Sequence, residues 1–232
     1  MKKPLFLSLL GLIICFSFSS CVTSSGTIVC FGDSFTSGWG VLHWIGFNVS
    51  YPDYLQKKVN IRVINSGKGG ETTTTAFSRV DSDVLSKNPQ IIIIDFGSND
   101  VFQYFRQYGQ NTTIEPIIET VKVGLQQIID RINDGNRKIY VIKLYSDTKQ
   151  LSEMLRIYDI QLVMELINQF DVMYNALAFS NDLELIENVW DGVWGIHMNM
   201  DGNHANPKGN EVIAMNIFSA LEPYLRENDL IR

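Results

Sequence analysis

Apolar runs and amphipathic stretches alternate along most of the chain. Residues 27–31 form a short apolar, β-rich run closed by Gly32, which predicts a buried strand. A second run at residues 61–64 ends at Asn65-Ser66-Gly67. The third, residues 91–96, begins with four isoleucines in a row and is apolar on both faces, as a central parallel strand requires. Residues 138–144 predict a fourth strand and residues 183–186 a short fifth. Helical signals fall between them. Pro52 opens a short helix over 52–58, since proline suits the first helical turn. Residues 75–85 read as a helix, and residues 114–133 as a longer amphipathic one closed by Asp134-Gly135. Residues 151–177 place Leu155, Tyr158, Leu162, Leu166, Ile167 and Phe170 at helical spacing, and residues 207–221 predict a last helix behind Pro207. This alternation predicts an α/β fold, a three-layer α/β/α sandwich with a parallel sheet covered on both faces. Ligands of such sheets bind beyond the carboxyl ends of the strands, so that is where chemistry is sought.

The first twenty residues stand outside this pattern. Lys2 and Lys3 precede an apolar stretch and the small pair Ser19-Ser20, which predicts a signal peptide over residues 1–20. The apolar stretch is shorter than the roughly 20 residues a membrane-spanning helix needs. Cys21 directly follows the small pair, an arrangement that resembles a bacterial lipoprotein signal, although Phe18 stands where such signals usually carry leucine. Cys21 is therefore the candidate lipidation site, with an ordinary cleaved signal as the alternative. Residues 21–26 read as a short linker, and residues 27–232 as one catalytic-sized domain. The expected location is the cell envelope, held to the membrane by the lipid anchor, or else the periplasm or medium.

Composition narrows the partners. The formal net charge of -6 and the absence of a basic run argue against nucleic acid. Cys15 leaves with the signal. Cys30 sits in an apolar strand and is expected to be a buried, inert thiol, so no disulfide framework is predicted. No His/Cys cluster has metal-ligand spacing, and no metal or organic cofactor is implied.

Four strand ends carry unusual residues: Gly32-Asp33-Ser34, Asn65 through Thr72, Gly97-Ser98-Asn99-Asp100, and Asp201-Gly202-Asn203-His204 with Ala205-Asn206-Pro207 behind it. Each alone is ordinary turn chemistry. Together they supply what acyl transfer needs. A serine hydroxyl becomes a nucleophile when a base takes its proton, and His204 can act near neutral pH. Asp201, three residues earlier, can fix the imidazole tautomer. Backbone N–H groups and an amide can meet the oxyanion that attack creates. A nucleotide-binding reading of Gly67-Lys68-Gly69-Gly70 fails on spacing.

These four blocks, in this order, resemble the SGNH hydrolases, also called GDSL esterases and lipases. The resemblance implies a flavodoxin-like sheet, Ser34 as nucleophile, and Asp201 and His204 as its partners. It also implies an oxyanion hole made by the Ser34 and Gly70 N–H groups and the Asn99 side chain. Ser34 through Val41 and Tyr51-Pro52-Asp53-Tyr54-Leu55 are similar to the arylesterase, thioesterase I and lysophospholipase branch. Phe35 replaces the family's leucine, Gly69-Gly70-Glu71 stands where Ser-Gly-Asp is common, and Ala205 breaks the frequent His-Pro-Asn ending. The implied activity is hydrolysis of carboxylic esters or thioesters through an acyl-enzyme, on a small-molecule, lipid or sugar ester. Two rivals stay open: a carbohydrate O-deacetylase using the same residues, and an inactive cell-envelope binding or structural protein. Asp33 and Asp100 are expected to order turns, and His197 to be a loop histidine. The aromatic run Trp39, Trp44, Phe47, Tyr51 and Tyr54 reads either as a pocket lining or as packing over the sheet.

Overall fold

The computed structural model describes residues 26–40, 49–144 and 148–232. The signal peptide, Cys21, His43, Trp44 and Phe47 lie outside the described residues. Five parallel strands form the sheet: β1 (Thr27–Gly32), β2 (Arg62–Gly67), β3 (Ile91–Asp95), β4 (Lys138–Ile142) and β5 (Glu184–Ile186), in the order β2-β1-β3-β4-β5. The chain moves from β1 to β2 on one side and then crosses to β3 on the other. That reversal makes β1 and β3 the switch point, where the loops beyond the strands diverge and leave a crevice.

Side chains alternate across the pleat and feed two separate cores. Val29, Phe31, Ile92, Ile94, Ile139 and Val141 face one layer, while Ile28, Cys30, Ile91, Ile93, Tyr140 and Ile142 face the other. The first layer holds α3 (Thr73–Phe77), α4 (Val80–Asp83), α5 (Ser98–Tyr108), α6 (Glu115–Ile132), α7 (Thr148–Leu155) and α8 (Ile160–Asn181). The second holds α2 (Tyr51–Gln56) and α9 (Pro207–Glu227). A one-turn helix, α1 (Ser34–Ser37), follows β1 directly. The three-layer sandwich expected from the alternation is the observed fold. Cys30 is buried and unpaired, and burial pushes its thiol far above the ordinary range.

The helices depart from the sequence pattern in three places. Residues 75–85 do not form one helix. The chain breaks after Phe77 so that Arg79 can turn inward, and then resumes as α4 and a 3₁₀ turn, Leu85–Lys87. The predicted helix over 151–177 is two helices, broken at Arg156, which takes a left-handed φ of 55°. Asp159 then starts α8 by accepting from the Gln161 and Leu162 N–H groups. The pattern gave no helix after residue 96, yet α5 begins at Ser98. Its first turn carries the polar residues Ser98, Asn99 and Asp100, which hid the periodicity. Among the described residues no helix is long and apolar enough to cross a membrane.

Close backbone approach brings the loop after β2 against the turn after β1. Gly67 ends β2, and a Cβ there would lie 2.2 Å from the Ser37 N and 2.6 Å from the Thr36 carbonyl carbon. Both are backbone atoms and cannot swing aside. Gly67→Ala is therefore expected to cost about 1–3 kcal/mol, the range of an overpacked site. Urea unfolding checks this, and wild-type stability in the variant would show that the two loops are not so tightly apposed.

Candidate active site

Ser34 stands at the first position of α1, just past β1. Asp33 caps that helix by accepting from the Phe35 N–H at 3.0 Å. Gly38 ends it in a left-handed conformation, φ 75°. The serine is thus presented on a tight strand-to-helix turn above the sheet edge.

His204 and Asp201 come from the loop between β5 and α9, and that loop is braced from several sides. Met198 and Ala205 form an isolated antiparallel bridge, and Asn199 donates its N–H to the His204 carbonyl at 2.7 Å. The Asn199 and Asn210 side chains both donate to the Ala205 carbonyl at 3.0 Å. Asn206 caps α9 by accepting from the Gly209 N–H, and Pro207 follows as its first residue. At the tip, Asp201 Oδ1 accepts from the Asn203 and His204 N–H groups, both at 3.0 Å, while Gly202 takes φ 73°. The turn aims the carboxylate at the ring that its own residues position.

The resulting chain of contacts is continuous. Asp201 Oδ2 lies 2.7 Å from His204 Nδ1, and His204 Nε2 lies 2.9 Å from Ser34 Oγ. The acid keeps Nδ1 protonated, which leaves the Nε2 lone pair for the serine hydroxyl. Burial alone would raise the Asp201 carboxyl. The His204 and Asn203 N–H groups and the imidazole outweigh it and hold the group below the ordinary carboxylate range. Phe35 packs on the imidazole, ring centroids 5.5 Å apart, and rests edge-on against Trp190 at 4.9 Å. An aromatic ring at position 35 thus backs the histidine, a contact that the sequence did not reveal.

The loop after β2 forms the opposite wall. Gly70 is left-handed, φ 81°, and its N–H donates to no other described residue. A Cβ built on Gly69 would sit 3.8 Å from Ser34 Cβ, whereas one built on Gly70 would meet nothing within 4 Å. Asn99, in the first turn of α5, sends its amide nitrogen to Asp33 Oδ2 at 2.9 Å and to the Glu71 carbonyl at 3.0 Å. Both partners are acceptors, so the nitrogen must face them, and both amide hydrogens are engaged in the resting site. Asp100 accepts from the Thr73 N–H and hydroxyl, at 3.0 and 2.7 Å, at the first position of α3, which Thr72 caps. Asp33 orders the turn that carries Ser34, whereas Asp100 orders no local turn and instead ties α5 to α3 through Thr73.

Ser34, Phe35, Trp39, Gly70, Asn99, Phe102, Met154 and His204 surround one cleft of about 440 Å³. Its walls are largely apolar. Of the aromatic run, Trp39 lines the cleft and Tyr51 is buried packing, 1% exposed. His197 braces the loop through its backbone: its carbonyl accepts from Asn206. Phe102 and Met154 lie on α5 and α7, in stretches whose sequence carried no site signal. Among the described residues no group of three or more His, Cys, Asp or Glu side chains is placed to hold a metal.

A doubly wound parallel sheet thus carries Ser34, His204 and Asp201 in hydrogen-bond contact beyond the carboxyl ends of its strands. The family model of GDSL-like lipases and acylhydrolases matches residues 28–217, and the chain belongs to that family of ester hydrolases. It is 25% identical over 135 residues to an arylesterase of Vibrio mimicus, covering 56% of this chain and 68% of that protein. It is 34% identical over 84 residues to an uncharacterized lipoprotein, YqeF, of Bacillus subtilis, so this chain spans only 31% of that relative's length. The match covers 32% of this chain. Among solved structures, TesA superposes with a TM-score of 0.66 at 18% identity, over 85% of this chain and 98% of the other. The esterase EstA of a Pseudoalteromonas species gives 0.66 at 16%, over 87% and 100%.

Two carboxyls lie fully buried beneath the nucleophile. Asp33 accepts from Ser98 Oγ at 2.5 Å as well as from Asn99, and Asp95 accepts from Thr36 Oγ1 at 2.8 Å. Burial raises both, and the Asp95 charge raises Asp33 further, to about 7 against about 6 for Asp95. Both therefore bind protons more tightly folded than unfolded, where an aspartate titrates near about 3.9. Folding takes up protons across that window, so stability falls as pH rises from about 4 to about 7. Asp95→Asn removes one of the two charges and keeps an acceptor for Thr36. Its unfolding free energy is expected to exceed wild type at pH 8, by an amount on the order of 2 kcal/mol, and to converge with it only below about pH 4, where both forms are uncharged in the folded and unfolded states. A pH-independent difference would contradict this account of the pair.

Proposed function

We propose that the protein is a serine esterase that cleaves carboxylic ester or thioester bonds through an acyl-enzyme on Ser34. The observation that carries this reading is the Ser34–His204–Asp201 chain, with contacts of 2.9 and 2.7 Å, opening on an apolar cleft. His204 Nε2 takes the hydroxyl proton as Oγ attacks the carbonyl carbon. Asp201 steadies the imidazolium without becoming protonated itself. The Ser34 and Gly70 N–H groups meet the oxyanion, and Asn99 joins them by sharing the hydrogen it now gives to the Glu71 carbonyl. Collapse expels the alcohol or thiol, which receives the proton back from His204. Water then repeats the sequence on the acyl-enzyme and releases the acid.

The cleft lining bears on the substrate. Phe102, Met154, Trp39 and Phe35 offer apolar contact and few hydrogen-bonding groups beyond the catalytic ones. That suits an aliphatic or aryl acyl group better than a sugar, and the arylesterase likeness points the same way. The reading therefore favours ester or thioester hydrolysis over carbohydrate O-deacetylation. The sequence signal around Cys21, with the lipoprotein relative, supports export and attachment to the cell envelope through a lipid on Cys21.

Ser34→Ala is expected to lower p-nitrophenyl butyrate hydrolysis by at least about 10³-fold while the near-UV circular dichroism stays at wild type. Activity retained in that variant would remove the nucleophile. In a substrate panel, butyrate and hexanoate esters are expected to give higher kcat/KM than acetyl-xylan, and the reverse order would favour the deacetylase. Full-length protein is expected to incorporate labelled palmitate and Cys21→Ala is not. Unlabelled wild type would replace anchoring by simple secretion.

A further inference from the structure

No local pattern marks Arg79, yet its guanidinium is buried at the convergence of three chain segments that reach the nucleophile. Nη2 donates to the Gly32 carbonyl at 3.0 Å, two residues before Ser34. Nη1 donates to the Ser66 carbonyl at 2.7 Å, at the end of β2, and to Asp83 Oδ2 at 3.0 Å. Nε donates to Glu71 Oε2 at 2.5 Å. The guanidinium carbon lies 4.5 Å from the Phe31 ring centroid and 5.9 Å from that of Phe96. Arg79 and Glu71 are 9% and 7% exposed, so the pair is largely withdrawn from water.

Burying an ion pair is costly, and an apolar residue between Phe31 and Phe96 would fill the same space at less cost. What an apolar residue could not do is hold Glu71. Glu71 follows Gly70 directly, and its carbonyl is the acceptor that Asn99 now engages. Upstream of Gly70, the Lys68 N–H is fixed to the Gly32 carbonyl at 2.9 Å, the same oxygen that Arg79 reaches. The Gly70 peptide is thus tied on both sides to the end of β1, two residues before Ser34, and on one side the tie runs through the Arg79–Glu71 pair. Only a planar fork of several donors can satisfy a carboxylate and two carbonyls in one orientation, which a lysine cannot.

We propose that Arg79 and Glu71 are positioning residues that set the Gly70 N–H against the oxyanion and so hold the oxyanion hole preformed. This inference rests on the reading of Gly70 as an oxyanion donor. The pair touches no reacting atom. It acts by fixing the loop, and misplacement of a catalytic group by about 1 Å can cost roughly 10²-fold in rate.

The test compares p-nitrophenyl butyrate with its thiono analogue, in which sulfur replaces the carbonyl oxygen. Sulfur is larger and a weaker hydrogen-bond acceptor, so a formed oxyanion hole prefers the oxygen ester. The ratio of the two kcat values therefore reports the hole itself. Glu71→Ala and Arg79→Lys are expected to lower kcat on the oxygen ester by roughly 10²-fold with KM little changed, and to shrink the ratio toward one. Asp83→Ala removes a bond to the same guanidinium on the side away from the loop, and is expected to cost stability while keeping both kcat and the ratio. A ratio held at wild type in Glu71→Ala, with only a lower melting temperature, would make the pair merely structural and overturn the proposal. A wild-type ratio already near one would instead remove the oxyanion reading of the loop, and the proposal would fall with it. Should Arg79→Lys not fold, Glu71→Ala, which leaves the Lys68 N–H and the Glu71 carbonyl free to keep their backbone contacts, decides the question.

Discussion

The contact between Ser34 Oγ and His204 Nε2 joins residues 170 apart in sequence, and most of the ordered polar structure at this end of the sheet serves to make it possible. A 2.9 Å contact between two flexible side chains survives only if both backbones are fixed. On the serine side the fixing is done by the Asp33 cap, by the Gly67 backbone pressed on α1, and by parallel pairing of β1 with both β2 and β3. On the histidine side it is done by the Met198–Ala205 bridge, the Asn199 and Asn210 side chains, and the cap of α9. The Asp201 carboxylate then needs only its own turn to reach the ring.

Behind these contacts lies a less comfortable layer. Asp33 and Asp95 are buried together without a cation among their hydrogen-bond partners, and each raises the cost of ionising the other. Asp33 nevertheless orders the serine turn, Ser98 and Asn99 at once, which ties the ends of β1 and β3 across the switch point. Structural strain of this kind is a common companion of preorganised sites. The Arg79–Glu71 pair performs the corresponding task between β1 and β2.

Much of this was legible in the sequence, for identifiable reasons. Four consecutive isoleucines can only be a strand buried on both faces, and the strand-helix alternation left little choice but a doubly wound sheet. The four polar blocks were visible because each follows a strand, where turn residues are expected but a serine, a histidine and an acid together are not. What stayed hidden depended on tertiary context. The start of α5 looked like a turn because its polar first turn engages Asp33, Glu71 and Thr73, partners far away in sequence. The break at Arg156 needed a left-handed residue that no glycine announced. Arg79 sat in a run of threonines and small residues, and nothing local said that it would turn inward. Phe102 lines the cleft only because α5 exists, so missing the helix meant missing the wall. The place of Asn99 at the cleft could be expected from its position after β3, whereas the engagement of both its hydrogens could not.

The central claim is that Ser34 is activated by His204 in the resting protein. Incubation with a fluorophosphonate, followed by proteolysis and mass mapping, tests it most directly, because only an activated hydroxyl attacks phosphorus at a useful rate. The account predicts one equivalent of adduct per chain, on the peptide that carries Ser34, and slowing by orders of magnitude in His204→Ala. Turnover by a preparation that takes up no label, or an adduct on a different residue, would contradict it.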